Sequence, residues 1–453
     1  MTDKLNFGKT EITKLFFQIL IPTLMGMVFS AAFVITDGIF VGQGIGSDAI
    51  AAVNITAPIF LTNTGFGLMF GVGSSVIASI YLSRGQIESA RLNITHSIVF
   101  CISFLAVIWT TVTIFAPEVA ILLGSSERLL PLVVEYIYWF VPFLVFSAIL
   151  SAGLFHIRLD GAPNYAMICN VVSAVINIIL DYLFIFVFEW GMFGAALATS
   201  WGYIVGAVMV LIYMSRKSCK LRFIAFDLTQ KGRVLIARNI KNICKLGSST
   251  FLCELAIACM MFVGNAIFMK YLHEDGVAAF SVGCYLFPLI LMLNTAIGQS
   301  AQPIISYNYG AGNTHRVNKA LNVAMTSAIL SAIVIILIQF FFSGEMVAMF
   351  IDEDNPAYTI ASKGLPLLAL GYVFFAINIV AISYFQSIER ATPATVITVL
   401  RGFIFMIPCF IILPIFWGDQ GMWLAVPVTE LITTLYVLFI FLKTKRKNSY
   451  NKI

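Results

Sequence analysis

Apolar runs of twenty or more residues, separated by short clusters of charge and turn-forming residues, divide this chain from end to end. A helix needs about 20 apolar residues to cross a bilayer at roughly 1.5 Å of rise per residue. The pattern predicts twelve such spans, at about 15–42, 50–82, 94–116, 132–157, 163–187, 191–215, 243–271, 278–307, 320–350, 358–388, 393–417 and 421–443. Several exceed the minimum length, which implies tilt or extension beyond the membrane.

The polar positions orient these spans. With both termini on the cytoplasmic side, the loops and tails there hold twenty-three of the 27 Lys and Arg residues. Outer loops and span ends carry only Arg128, Lys270 and Lys363, and Arg401 lies inside a span. An odd number of spans would destroy that asymmetry, and basic residues concentrate on the cytoplasmic side of membrane proteins. The longest polar stretch, about 215–242, is basic and divides the spans six and six. It reads as a cytoplasmic linker lying against anionic lipid, and nucleic acid is not an expected partner.

Composition strengthens the same picture. The chain is 60 % hydrophobic and 11 % charged, with mean hydropathy +0.95, whereas a soluble domain is about 45–50 % apolar and 25 % charged. Twelve spans in 453 residues leave no room for a sizeable extramembrane domain. The eight cysteines form no C-x-x-C pair and the four histidines are scattered, so neither a disulfide framework nor a zinc site is expected. The short polar N-terminus leads straight into the first apolar run without a small-residue cleavage site, so that run is expected to stay as a helix.

The chain also repeats itself. Residues 46–60 align with 273–287 at a shift of 227, pairing Asp48 with Asp275. A shift of 225 pairs Gly73 with Gly298 and Arg91 with Arg316, and one of 230 pairs Pro163 with Pro393 and Thr199 with Thr429. Each match alone is weak, but three in one order are not. The expected architecture is an all-α polytopic membrane protein of twelve transmembrane helices in two six-helix bundles, related by a pseudo-two-fold axis normal to the membrane. Its parts are an N-lobe at 1–215, a basic linker at 216–242, a C-lobe at 243–443 and a cytoplasmic tail at 444–453. A central cleft between the lobes follows as the substrate path.

Ionisable residues within a span are expensive, and each is a functional hypothesis by default. Asp37 lies about 22 residues into the first span, roughly 33 Å of helix. Asn177 and Asp181, four apart, share one face of the fifth span. Thr199 enters from the outer end of the sixth, so all four side chains fall in the outer half of the membrane. Two carboxylates, an amide and a hydroxyl at one depth supply oxygen ligands for a small hard cation, or a pair of acids able to share a proton. The alternative is that Asp37 faces an outer vestibule and Asp181 bonds locally. The repeat places Gly264 opposite Asp37, and Ile407 and Ile411 opposite Asn177 and Asp181, so cation coupling belongs to the N-lobe.

The C-terminal half carries Glu254, Arg401 and Glu430 within spans. Glu254 and Arg401 lie at similar depth, close enough to pair; structural pairing and substrate binding both remain open for them. Pro22 within the first span removes a helix hydrogen bond and permits a kink, so it is a candidate hinge. The run Gly298–Gly312 reads as turn and packing rather than as a binding segment.

These residues resemble the multidrug and toxic compound extrusion (MATE) family, in its prokaryotic branch near the DinF type. The matching pieces are DGIFVGQGIGSDAIAAV, RLDGAPNYAM, the N-x-x-x-D of Asn177 and Asp181 followed by GMFGAALAT, and QPIISYNYGAGNTHRV. The resemblance covers essentially the whole chain. It implies a cation-driven antiporter of the bacterial cytoplasmic membrane that exports amphipathic or cationic organic compounds by alternating access. It implies also that Asp37, Asn177, Asp181 and Thr199 form the N-lobe site for H⁺ or Na⁺, H⁺ being the first expectation. Glu254 resembles an acidic position of the seventh span in some members, though its spacing from Gly247 departs from the sodium-driven NorM pattern.

Small organic substrates and membrane lipid are the expected partners, a monomer the expected state, and no cofactor is expected beyond the coupling ion. A lipid-linked saccharide flippase of the same superfamily is the alternative, and a channel the next. No nucleophile and base stand at catalytic spacing, so an enzyme is not expected.

Overall fold

A computed structural model describes residues 5–225 and 229–450. Residues 1–4 with Lys4, the linker residues 226–228 and the tail residues 451–453 with Lys452 lie outside the described residues. Among the described residues the chain is helical without a β-strand. The helices are α1 Ile12–Gly44, α2 Ser47–Ser83, α3 Ile87–Ile114, α4 Ala116–Leu122, α5 Leu130–Phe140, α6 Leu144–Leu159, α7 Pro163–Asp181 and α8 Gly191–Ser215. They continue with α9 Gln230–Gly310, α10 Thr314–Phe341, α11 Ser343–Ala348, α12 Pro356–Ala369, α13 Tyr372–Ser387, α14 Ala391–Val399 and α15 Met406–Tyr450.

Local chemistry explains where several of them start. The Glu11 carboxylate accepts from the backbone N–H groups of Thr13 and Lys14 at 3.1 and 2.8 Å and opens α1. Asn355 does the same for α12 through Ala357 N at 2.9 Å. Proline stands in the first turns of α5, α7 and α12, where its missing N–H costs nothing.

Nine helical stretches among the described residues are long and apolar enough to cross a membrane, and α12 with α13, bent by 47° at their break, make a tenth. Two of these stretches are double. The chain turns at His273 within α9 (φ 55°, ψ −145°) and at Gly418 within α15 (φ 53°, ψ −134°). Dividing there yields twelve spans. Both turns are tighter than the loops expected from hydropathy, because one residue outside the helical region is enough to stop a helix.

The repeat is written into the backbone. Positive-φ residues recur as Gly46 and His273, Gly85 and Gly312, Gly161 and Glu389, and Gly191 and Gly418, at separations of 227, 227, 228 and 227 residues. These single-residue turns mark corresponding corners of the two halves more evenly than side-chain identity does.

The chain divides into two compact units. One runs to Glu254 and includes Ser306–Thr314; the other comprises Leu255–Ile305 and the chain from His315 onward. The second half of the segment expected as linker, from Gln230, is helical and continues into the seventh span.

In the first unit small residues let helix backbones touch, as they do in membrane bundles. A methyl group at Gly247 would collide with the Met69 carbonyl, and one at Gly73 with the Ile243 carbonyl. The polar run near Gly310 packs as expected: Asn308 Nδ2 donates to Phe7 O at 3.1 Å. In the second unit Ser383 Oγ donates to Gly298 O at 2.8 Å, and Phe268, Phe280 and Trp423 form an aromatic cluster. All eight cysteines are free thiols.

Candidate functional site

The acidic site is assembled within the first unit from α1, α5, α7 and α8. Asp181 is the last residue of α7, immediately before a π-helical turn at Tyr182–Val187. The wide turn follows the acid directly, a placement common at functional sites. Asp181 is fully buried, Asn177 and Thr199 are 1 % and 5 % exposed, and Asp37 is half-buried.

The four residues meet. Thr199 Oγ1 accepts from Asn177 Nδ2 at 3.4 Å and faces Asp37 Oδ1 at 3.4 Å, with the Ala195 carbonyl at 3.1 Å as a second acceptor for its proton. The carboxyl group of Asp181 stands beside that of Asp37. Neither Asp181 oxygen has a donor within hydrogen-bond distance, though the Asn177 side chain stands near, and Asn177 Oδ1 has none either. Three buried acceptor atoms without a hydrogen are costly once they are removed from water.

That imbalance defines what the site can do. A proton on one acid can be donated to the other carboxylate, which satisfies both. A small hard cation would find carboxylate, amide and hydroxyl oxygens, the donor set such ions take. Among the described residues no group of three His, Cys, Asp or Glu side chains is placed to hold a metal ion.

Two tyrosines that residue spacing alone missed complete the surroundings. Tyr136 of α5, 4 % exposed, stands beside Thr199 and within electrostatic reach of both aspartates. Tyr203 of α8, one turn after Thr199, lies near Asp37 and reaches Ser147. Its i+4 spacing from Thr199 was the available sign. Tyr136 offered none, since only packing brings α5 to α8. Phe33 and Phe60 pack their rings on Tyr203 at centroid distances of 6.0 and 6.2 Å, closing an aromatic wall beside the acids. Pro22 lies buried within α1, which stays helical across it.

The polar residues of the C-terminal half pair differently from the expectation. Arg401 makes its ion pair with Glu430, not with Glu254: Nη2 reaches Oε1 at 2.6 Å, and Nε reaches Oε1 and Oε2 at 3.0 and 3.3 Å. Depth along a helix says nothing about direction around it. Arg401 sits in a π-helical turn, Leu400–Ile404, which widens the helix beside α15.

Asn378 of α13 donates to Glu430 Oε2 at 2.7 Å, Thr434 donates to Asn378 Oδ1 at 3.1 Å, and the guanidinium lies 4.7 Å from the Phe375 ring centre. The pair is thus buried, bidentate and braced from α13 and α15. Glu254 lies in the first unit at the end of a segment where Phe251 packs on Phe66, 4.7 Å between ring centres.

The family model named MatE matches this chain twice, at residues 22–183 and 250–411. The chain belongs to the MatE family. The two matched segments are offset by 228 residues, in step with the recurring backbone turns. Two relatives span almost the whole chain. The FAD transporter of Shewanella oneidensis is 26 % identical over 444 residues, covering 95 % of each chain. The multidrug export protein MepA of Staphylococcus saprophyticus is 26 % identical over 440 residues, covering 96 % of this chain and 94 % of its own.

Among solved structures, a MOP superfamily transporter from Pyrococcus furiosus superposes with a TM-score of 0.90 at 20 % identity, over 100 % of this chain and 99 % of its own. A mutant of the Vibrio cholerae MATE transporter VcmN superposes with a TM-score of 0.88 at 22 % identity, over 96 % and 97 %. The MatE fold of twelve helices is therefore the fold of this chain. As a MatE protein it is a multi-pass membrane transporter.

Proposed function

We propose that this MatE protein is a cation-coupled multidrug efflux antiporter of the bacterial cytoplasmic membrane, with H⁺ as the coupling ion and Na⁺ as the variant. Both termini face the cytoplasm, as the distribution of Lys and Arg favours. The observation that carries the reading is Asp181: buried, beside a second carboxyl group, with no donor on either oxygen. Such a group requires a cation or a proton in at least one state of the cycle.

Charging and discharging that site changes the net charge held among α1, α7 and α8. The state with a bound cation and the state without it then favour different helix packings, which is the condition for driving an alternation. Pro22 gives α1 a position at which to bend. Substrate and cation compete through that equilibrium, and the drug leaves as the cation enters. The MepA relatives support export of organic compounds as the substrate class.

Ethidium efflux from vesicles under separately imposed proton and sodium gradients tests this. Export driven by an inward proton gradient is expected, with sodium alone ineffective. No accumulation against either gradient would sink the proposal and favour a channel. A second reading, export of FAD, is favoured by the Shewanella relative at 26 % identity over 95 % of each chain. The same vesicles given FAD in place of ethidium decide between the two.

A further inference from the structure

The N-terminal part of α9 carries a stripe that the transport reading does not use. Lys231, Arg238, Lys241 and Lys245 are exposed, together with Val234, which is 67 % exposed. At about 100° per residue these five positions fall within an arc of roughly 80°. None of the four cationic side chains makes an ion pair or hydrogen bond with a described residue. On the other side of the same helix Gly232, Asn239, Ile243 and Leu246 are buried. The segment is therefore two-faced: one side is packed into the first unit, and the other is basic and unpartnered.

Its packing also fixes its height. Asn239 and His96 of α3 are joined by a 3.1 Å hydrogen bond, and Ile243 and Gly247 lie against Gly73 and Met69 of α2. His96 is nine residues into α3, so stepping back eight residues along α9, roughly 12 Å, brings Lys231 level with the turn between α2 and α3. From there the stripe runs roughly 21 Å toward the span that follows. It thus passes through the depth at which a bilayer presents its headgroups. Lys and Arg reach out to such a layer while their stems cover apolar surface.

We propose that Lys231, Arg238, Lys241 and Lys245 form a binding site for the phosphate headgroups of anionic phospholipid, in the leaflet where α9 enters the membrane. Charge complementarity selects this occupant: four cations in one stripe attract anionic headgroups and gain nothing from zwitterionic ones. The proposal rests on the cytoplasmic orientation given above only for which leaflet supplies the lipid. It does not depend on what is transported.

The test uses the full-length protein reconstituted in nanodiscs of phosphatidylcholine with increasing phosphatidylglycerol. The wild type should gain thermal stability as phosphatidylglycerol rises, and should lose that gain in about 0.5 M salt. A variant carrying Lys231→Gln, Arg238→Gln, Lys241→Gln and Lys245→Gln should match the wild type in pure phosphatidylcholine. It should show no such gain, and should retain phosphatidylglycerol at least about tenfold more weakly by native mass spectrometry.

Equal retention by both proteins would overturn the proposal. So would an equal stability gain from inorganic phosphate added to pure phosphatidylcholine nanodiscs, which would point to a soluble anion. Should the fourfold variant not be recovered, the salt and phosphate titrations of the wild type decide on their own. Ethidium efflux can fail while lipid binding persists, so the two readings stand or fall separately.

Discussion

Asp181 is the residue whose surroundings are hardest to explain without function. A fully buried carboxyl group beside another, with no donor on either oxygen, lowers stability unless a proton or cation joins it. Asp181→Asn and Asp37→Asn should each abolish gradient-driven ethidium export while the protein still inserts. Asp181→Asn should also raise the melting temperature, because the amide brings its own donors to a site that lacks them. Full export by both variants would remove the acids from the mechanism. Thr199→Val removes the hydroxyl that links Asn177 to Asp37 and keeps the shape. It should reduce the rate of proton-driven export by about tenfold, the equivalent of one hydrogen bond to a charged group. Unchanged export would make that hydroxyl a packing group.

Among the elements, the two π-helical turns carry the contrast between the halves. One directly follows Asp181 and the other contains Arg401. The first adjoins an acid short of hydrogen, whereas the second belongs to a pair that is fully braced by Asn378 and Thr434. Breaking a buried pair leaves one uncompensated charge and costs about 3–5 kcal/mol, whereas replacing both partners with apolar residues is often neutral. Arg401→Met should therefore lower thermal stability sharply, and Arg401→Met with Glu430→Leu should recover most of it, as measured in detergent. If the double variant stays stable but loses export, the pair acts in transport and not only in holding α13, α14 and α15 together.

At the scale of the whole molecule, the distribution of basic residues makes an independent prediction. Cysteine placed at Lys220 should react with an impermeant maleimide only from the cytoplasmic side, and cysteine at Glu127 only from outside. Lys220 and Glu127 are exposed and lie on opposite sides in the proposed topology. Labelling of both from one side would require an even number of spans between them and would overturn that topology.

The legibility of this protein in its sequence follows from its solvent. A bilayer demands apolar helices of set length, so span number and the repeat could be read from residues alone, and the family match agrees with the repeat. Asn177 and Asp181 were legible because four residues make one helical face. What the sequence could not show is rotation about parallel helices. The depth of Arg401 suggested Glu254, yet the packing of its π-helical turn against α15 pairs it with Glu430.

Likewise Tyr136 joins the acids only because α5 packs against α8, and the basic segment before the seventh span becomes a stripe only because one side of α9 is buried on α2 and α3. Composition and period act along the chain and are set by the membrane. Partners across helices are chosen by side-chain packing between segments far apart in sequence, and only the tertiary structure decides them.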